Sequence, residues 1–215
     1  MEDHLKKFRD RLRITIILYV FSEPLNNDPH YFSVFRTEIK IQALDFLLRY
    51  PDFFSLELLD LYSSENLNTN EIQETIKQIF SSNEPVLRVE EMEKFFHGAY
   101  ESIDDVIAFL SSISFIKYES KRRRDGKEYE KHYYLTHLAK GKIEQQLTQI
   151  ESVKWYLERC LLIKKYFDGF SGTELKKRQY KYVEEYATVP YKSKIKQVQL
   201  KVRDSFYSNF NQILA

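Results

Sequence analysis

A basic turn between two strand-like stretches is the feature that most restricts the fold of this chain. An apolar strand pattern starts at Phe115, and a second strand pattern ends at Leu135. Between them, Asp125-Gly126 supplies residues that tolerate the positive φ of a tight hairpin turn. A strand pattern at Val86–Arg88 and two short helical patterns precede this hairpin, and a helical pattern follows it. Residues 84–146 are therefore predicted to fold as strand, helix, helix, hairpin and helix.

This order of elements resembles a winged helix of the MarR/PadR kind, in which the hairpin is the wing. The phrase Tyr-Leu-Thr-x-x-x-x-Gly, at Tyr134, Leu135, Thr136 and Gly141, opens the last helix of the segment. The predicted fold class is mainly α with a small β-hairpin. It is a winged helix-turn-helix flanked by N-terminal helices and by a long C-terminal helical region. The resemblance implies binding of nucleic acid or of other proteins, and rarely catalysis.

Apolar residues recur at helical spacing through most of the remaining chain. The pattern after Thr136 keeps its period to Phe167, which predicts a single helix about 45 Å long. The predicted regions are a helical one over 1–82 with room for a degenerate winged helix, the winged helix over 83–142, and a helical one over 143–215. A helix is predicted over 3–21, with Leu5, Phe8, Leu12, Ile16 and Tyr19 on one face. Two more are predicted over 35–50 and from Pro51, and another runs from a cap at Thr69 or Asn70 to Phe80. The last two begin at a cap at Ser171 or Thr173 and at Pro190.

Charge is balanced overall but unevenly distributed along the chain. Thirty-three Lys and Arg face thirty-two Asp and Glu, for a net charge of +1. Residues 63–105 hold ten acidic and three basic residues, a net of −7, whereas residues 173–203 hold nine basic and three acidic ones, a net of +6. Such a distribution suggests partners of both signs, DNA for one region and protein for another.

The remaining composition predicts a cytoplasmic location. The single cysteine, Cys160, excludes an internal disulfide and fits a reducing compartment. The N-terminus is too charged for a signal peptide. The longest apolar run, Ile14 to Phe21, falls short of the roughly twenty residues that a membrane helix needs.

Two basic regions are candidate nucleic-acid contacts, because Lys and Arg bind phosphates. The first is the tip of the hairpin, for which an ordinary solvated turn is the alternative. The second follows Thr173, where an exposed amphipathic helix is the alternative. The candidate residues are Lys121, Arg122, Arg123, Arg124 and Lys127 in the hairpin, and Lys176, Lys177 and Arg178 in the second region.

The helix predicted over 102–114 would read base edges in a conventional winged helix. Its predicted core face is Ile103, Val106, Ile107, Leu110 and Ile113, so its outward face has no Arg, Lys, Asn or Gln. Carboxylates on this face would meet phosphates, which makes it a poor reader of the major groove. A protein partner is the alternative occupant. Its predicted contacts are Asp104 and Asp105, with Glu90 and Glu91 from the preceding helical pattern.

No catalytic motif stands out, and no cofactor or metal is predicted. The five histidines are scattered, and none has the i, i+4 spacing of a helical metal pair. Cys160 lies between apolar residues, which favours a packed thiol over a reactive one. The chain is therefore predicted not to be an enzyme.

The phrase Leu-Asp-Phe-Leu-Leu-Arg-Tyr-Pro-Asp, at residues 44–52, has a second resemblance. Together with the winged helix downstream, it resembles middle-component proteins of bacterial three-component systems built around an SMC-like, ABC-type ATPase. That resemblance implies an accessory subunit in genome defence, which docks on the ATPase and lies near DNA. A dimeric winged-helix transcription regulator, with the helix over 136–167 as its dimer interface, is the alternative.

Overall fold

The computed structural model describes residues 2–65, 67–81, 92–95, 98–122, 128–181 and 192–214. Within these ranges most residues are helical and a smaller part forms antiparallel sheet, which confirms the predicted mainly α class. The helices are α1 Glu2–Phe21, α2 Glu38–Arg49, α3 Pro51–Ser64, α4 Thr69–Ser81, α5 Asp104–Ser112, α6 His137–Gln145, α7 Glu151–Phe167, α8 Gly172–Lys181 and α9 Gln199–Phe210; the strands are β1 Glu23–Pro24, β2 Tyr31–Arg36, β3 Glu93–Phe95, β4 Gly98–Tyr100, β5 Ile116–Arg122 and β6 Glu128–Thr136.

The chain divides into two compact units, and each unit draws on two separated stretches. Unit 1 consists of Met1–Asp45 and Glu101–Lys177, and unit 2 of Phe46–Tyr100 and Arg178–Ala215. These units cut across the three consecutive regions expected from the sequence. The reason lies in strand pairing, since β2 bonds to β6 about a hundred residues later and ties the first stretch of unit 1 to the second.

Unit 1 contains a four-stranded sheet in the order β1-β2-β6-β5, with antiparallel neighbours. The predicted hairpin is present as β5 and β6, in which Ile116 pairs with Leu135. Ile116, Tyr133 and Leu135 are buried on one face of the sheet. The strand predicted at Val86–Arg88 lies outside the described residues.

The start of the second predicted helix was wrong. Phe35 and Arg36 belong to β2, where they pair with Tyr133 and His132, and α2 begins only at Glu38. Thr37 between the two elements has a φ of 68°, a left-handed conformation that ends the strand. The apolar run of α2 concealed this junction, because Phe35 suits the core from either element.

Helix α1 supplies much of the core of unit 1. Leu12 and Ile16 are buried as its periodicity predicted, and the helix packs against α5 and α7. The first turns depart from the prediction, because Leu5 and Phe8 are 56% and 62% exposed. The apolar stripe therefore enters the core only from about its third turn.

The single long helix predicted over 136–167 was wrong. Helix α6 ends at Gln145, a 3-10 turn covers Leu147–Gln149, and α7 begins at Glu151. Ile150 between them is extended, with ψ at 123°, and its side chain is 47% exposed. The apolar period misled the prediction because Ile150 completes it in sequence without contributing to the core.

Side-chain caps begin several of the helices. Ser171 and Glu174 form a reciprocal capping box on α8, as predicted for Ser171. The cap of α4 was misplaced by one residue, since the side chain of Asn68 accepts the N–H of Glu71. Thr136 caps α6, where its hydroxyl accepts the N–H of Ala139 at 3.1 Å and donates to the Ser114 carbonyl at 2.8 Å.

Replacement of Thr136 by alanine is expected to lower the free energy of unfolding by about 1–2 kcal/mol. The variant loses the N-cap and the tie to Ser114 together. Urea denaturation followed by the fluorescence of the single tryptophan, Trp155 of α7, measures the loss. Thr136→Ser retains the hydroxyl and is expected to recover most of the stability, whereas an equal loss in both variants would contradict this role.

Unit 2 is built around α3, in which the predicted stripe of Phe54, Leu58 and Leu61 is buried. Helices α4 and α9 pack against α3. The helical pattern preceding α5 was wrong at its described residues, because Glu93–Phe95 and Gly98–Tyr100 form an antiparallel hairpin. Pro190 lies outside the described residues, and the last described helix begins at Gln199.

Candidate protein and nucleic-acid interface

Helix α5 presents its apolar side to the core of unit 1. The core face predicted for it is confirmed at Ile103, Val106, Ile107 and Leu110, which are 2–8% exposed. Ile113 was wrong, since it lies just beyond the last turn of α5 and is 38% exposed. The burial fixes which side of α5 faces outward.

The outward side of α5 carries carboxylates and small residues, as predicted. Asp104 and Asp105 in the first turn and Ala108 and Ser111 further along are exposed. Ser102 lies just before the helix, where its hydroxyl donates to Asp104 at 3.0 Å. Carboxylates in the first turn also stabilise the positive end of the helix dipole, so the two aspartates suit the helix as well as a partner.

A depression lies on either side of α5. One, of about 420 Å³, is lined by charged residues of α1, most of them basic, by residues of α5 and by Glu101, which pairs with Lys6 at 2.8 Å. The other, of about 340 Å³, lies towards the hairpin and is lined by Ala108, Ser111 and Tyr118 among others. Helix α5 thus lies between two depressions.

The basic tip of the hairpin is described only in part. Lys121 forms an exposed ion pair with Glu130 at 2.9 Å, and Arg122 ends β5. The pair links neighbouring strands, because Lys121 lies opposite Glu130 in the register. Arg123, Arg124 and Lys127 lie outside the described residues, as do Glu90 and Glu91 among the predicted protein contacts.

The three residues of the second basic region differ in their surroundings. Lys177 is exposed, but Lys176 is half-buried, and burial lowers the pKa of its ammonium group despite the nearby charge of Glu38. Arg178 belongs to unit 2, where its guanidinium bonds to Glu57 at 2.6 Å and to Asp60 at 2.9 Å. These ion pairs connect Arg178 to α3 within unit 2.

The interior of unit 1 holds an ion pair that sequence reasoning missed. Arg13 donates to Asp45 and, at 2.7 Å, to Asp10, and both Arg13 and Asp45 are almost fully buried. Burial alone would lower the pKa of the guanidinium, but the charge and hydrogen bond of Asp45 raise it overall. Cys160 is buried nearby, as predicted, and burial raises the pKa of its thiol.

Four aromatic side chains also escaped prediction, three on the sheet of unit 1 and one, His30, just before β2. His30, Tyr31, Tyr134 and His132 follow one another with ring centroids 6.2, 5.3 and 5.9 Å apart. The signal in the sequence was weak, because the two pairs are about a hundred residues apart and only the pairing of β2 with β6 unites them.

Comparisons of the chain with protein-family models, with curated proteins and with solved structures gave no match. Among the described residues no helix has the length and apolar character needed to cross a membrane. In the same part of the chain, no group of three or more His, Cys, Asp or Glu side chains is arranged to hold a metal ion.

Proposed function

We propose that the chain is a non-enzymatic winged-helix subunit that binds an SMC-like, ABC-type ATPase and lies near DNA in a bacterial genome-defence complex. The observation that carries the proposal is the element order of unit 1. Strand β2, helix α2, helix α5 and the β5–β6 hairpin follow one another in the order strand, helix, helix and hairpin expected of a winged helix, with residues 50–103 between the two helices. These elements span residues 31–136, whereas the sequence placed the winged helix over 83–142, where the described residues 93–95 and 98–100 are strands. The pairing of β2 with β6 joins the three strands into one sheet.

The outward face of α5 favours a protein partner over the major groove of DNA. Asp104 and Asp105 are exposed at the end of the helix that would enter the groove. There they would repel phosphates, and Ala108 and Ser111 offer little with which to identify a base. A basic surface on a partner protein complements the two aspartates.

The hairpin is the part proposed to lie near DNA. Lys121 is a described cation near its end, and Arg122, Arg123, Arg124 and Lys127 follow it in sequence. An exposed ion pair such as Lys121–Glu130 contributes little stability, so a phosphate can take the place of the carboxylate. Contacts of this kind are to the backbone and carry no sequence preference.

The helix on which the dimeric-regulator alternative depended is not continuous. Its proposed interface was one long helix after Thr136, whereas α6 and α7 are separated by the extended Ile150. The accessory-subunit proposal does not depend on that helix.

The proposal predicts that an ABC- or SMC-type ATPase is encoded beside the gene for this chain. It is tested by co-expression of the two proteins. Size-exclusion chromatography of the purified proteins is expected to give a stable complex. Reversing both charges on α5, with Asp104→Lys and Asp105→Lys, is expected to weaken the complex about tenfold or more, because like charges then face each other. Titration calorimetry measures the change.

The matched control reverses two exposed carboxylates of α7, Glu151→Lys and Glu158→Lys, the first of which also lies in a first helical turn. This control is expected to bind the ATPase normally. Equal weakening by both double variants would show a general charge effect and would contradict docking through α5. Nanomolar binding to the chain's own promoter, without binding to other DNA, would support the regulator instead.

A further inference from the structure

We propose that the sheet of unit 1 binds single-stranded nucleic acid by stacking unpaired bases on the ring row, defined as His30, Tyr31, Tyr134 and His132. This goes beyond contact of the hairpin with DNA backbone. It rests on the proposed function only in placing nucleic acid against this side of unit 1.

The ring row is continuous and accessible in part. Successive ring centroids lie 6.2, 5.3 and 5.9 Å apart. His30 is exposed, Tyr31 and Tyr134 are half-buried, and the side chain of His132 is 14% exposed. The rings are tilted or edge-on to each other, so each stacking face is only partly covered by its neighbour. Partly exposed aromatic faces on a sheet are how common RNA-binding modules stack two or three bases.

The placement of the row follows from strand register. Tyr134 lies opposite Lys117 of β5 and Val34 of β2, and it points away from the face on which Tyr133 and Leu135 are buried. Tyr31 reaches the same side because the pairing of β2 with β6 is irregular between Tyr31 and Ser33. The sheet itself, rather than a loop, therefore holds the central pair of rings.

A cation accompanies the rings. The ammonium group of Lys117 lies 5.9 Å from the centroid of the Tyr31 ring and within 2.6 Å of Glu119. Two further carboxylates lie near the rings. Glu130 accepts a hydrogen bond from His132 at 2.8 Å when that ring is protonated on Nε2, and Asp28 accepts the backbone N–H groups of His30 and Tyr31 at 2.8 and 2.9 Å. The Lys117–Glu119 ion pair lies at the surface, where exchange of a carboxylate for a phosphate costs little.

The sequence that contains β5 and β6 is basic. From Phe115 to Ile143 the sequence holds nine basic and four acidic residues, a net of +5, in contrast to the acidic α5. A positive surface with interleaved aromatic rings is the usual design for binding a single strand, since phosphates meet the cations and bases meet the rings. Duplex bases are already stacked on each other, so the ring row cannot reach their faces.

Fluorescence anisotropy with labelled oligothymidine, oligouridine and a dA·dT duplex tests the proposal on the full chain. At least one single strand is expected to bind more tightly than the duplex, and the two single strands distinguish DNA from RNA. Tyr31→Leu with Tyr134→Leu keeps apolar bulk but removes both rings, and is expected to weaken single-strand binding about tenfold or more. Tyr31→Phe with Tyr134→Phe keeps the rings and is expected to bind within about twofold of wild type.

Thermal melting by circular dichroism verifies that each variant is folded. If the leucine pair does not fold, the affinity of the phenylalanine pair is still compared with that of wild type. Equal affinity for duplex and single strands, or single-strand binding unchanged by the leucine pair, would overturn the ring row. A further variant, Lys121→Glu with Arg122→Glu, separates the ring row from the proposed contact of the hairpin with DNA backbone. If only the backbone contact exists, this variant still weakens DNA binding although the leucine pair does not. Docking through α5 is judged independently by the ATPase complex.

Discussion

Replacement of Arg13 by methionine is expected to lower the free energy of unfolding of unit 1 by about 3–5 kcal/mol. Methionine fills much of the space but removes the guanidinium that balances the charge of Asp45, which is only 2% exposed. A buried carboxylate that loses its counter-charge must be solvated or protonated, and both cost free energy. Urea denaturation monitored by Trp155, which lies in unit 1, measures the change.

The double variant Arg13→Met with Asp45→Leu supplies the control. Because it removes both charges, it is expected to be more stable than Arg13→Met alone, and the double-mutant cycle isolates the coupling between the two side chains. Asp10 bonds to the same guanidinium but is more exposed than Asp45. Asp10→Asn is therefore expected to lower the free energy of unfolding less than Arg13→Met does. A cost below about 1 kcal/mol for Arg13→Met would mean that water reaches Asp45.

The structure of the phrase at residues 44–52 could be predicted from the sequence only in part. Its apolar period and proline predicted a buried helix that stops at Tyr50, and α2 and α3 confirm both points. Its polar residues have roles that no local pattern contains. Asp45 pairs with Arg13, and the hydroxyl of Tyr50 accepts the N–H of Met92 at 2.7 Å. Both partners lie more than thirty residues away in sequence.

The candidate interface was predictable where it depends on one helix or one hairpin. The exposed carboxylates of α5 follow from its 3.6-residue period, and the β5–β6 hairpin follows from its turn. The ring row depends instead on the pairing of β2 with β6, which a local pattern cannot reveal. The same pairing explains why β2 was mistaken for the start of a helix.

The second large effect is expected in unit 2, at the end of the same phrase. Asp52 is 2% exposed, and its carboxylate accepts the N–H of Val198 at 2.6 Å and that of Phe53 at 3.0 Å. Val198 is the residue before α9, so this carboxylate holds the start of the helix against α3. Asp52→Ala is expected to cost about 2–3 kcal/mol, because a buried N–H loses a charged acceptor.

Hydrogen–deuterium exchange locates this effect within unit 2. In Asp52→Ala, peptides covering residues 192–214 are expected to exchange faster, since α9 loses the bond that fixes its first turn. Asp52→Asn keeps an oxygen acceptor without the charge and is expected to show a smaller change. Asp204→Ala, which removes an exposed carboxylate of α9, is the matched control and is expected to leave α9 protected. Unchanged exchange in Asp52→Ala would mean that apolar packing of Val202 and Phe206, both fully buried, is sufficient to hold α9 in place.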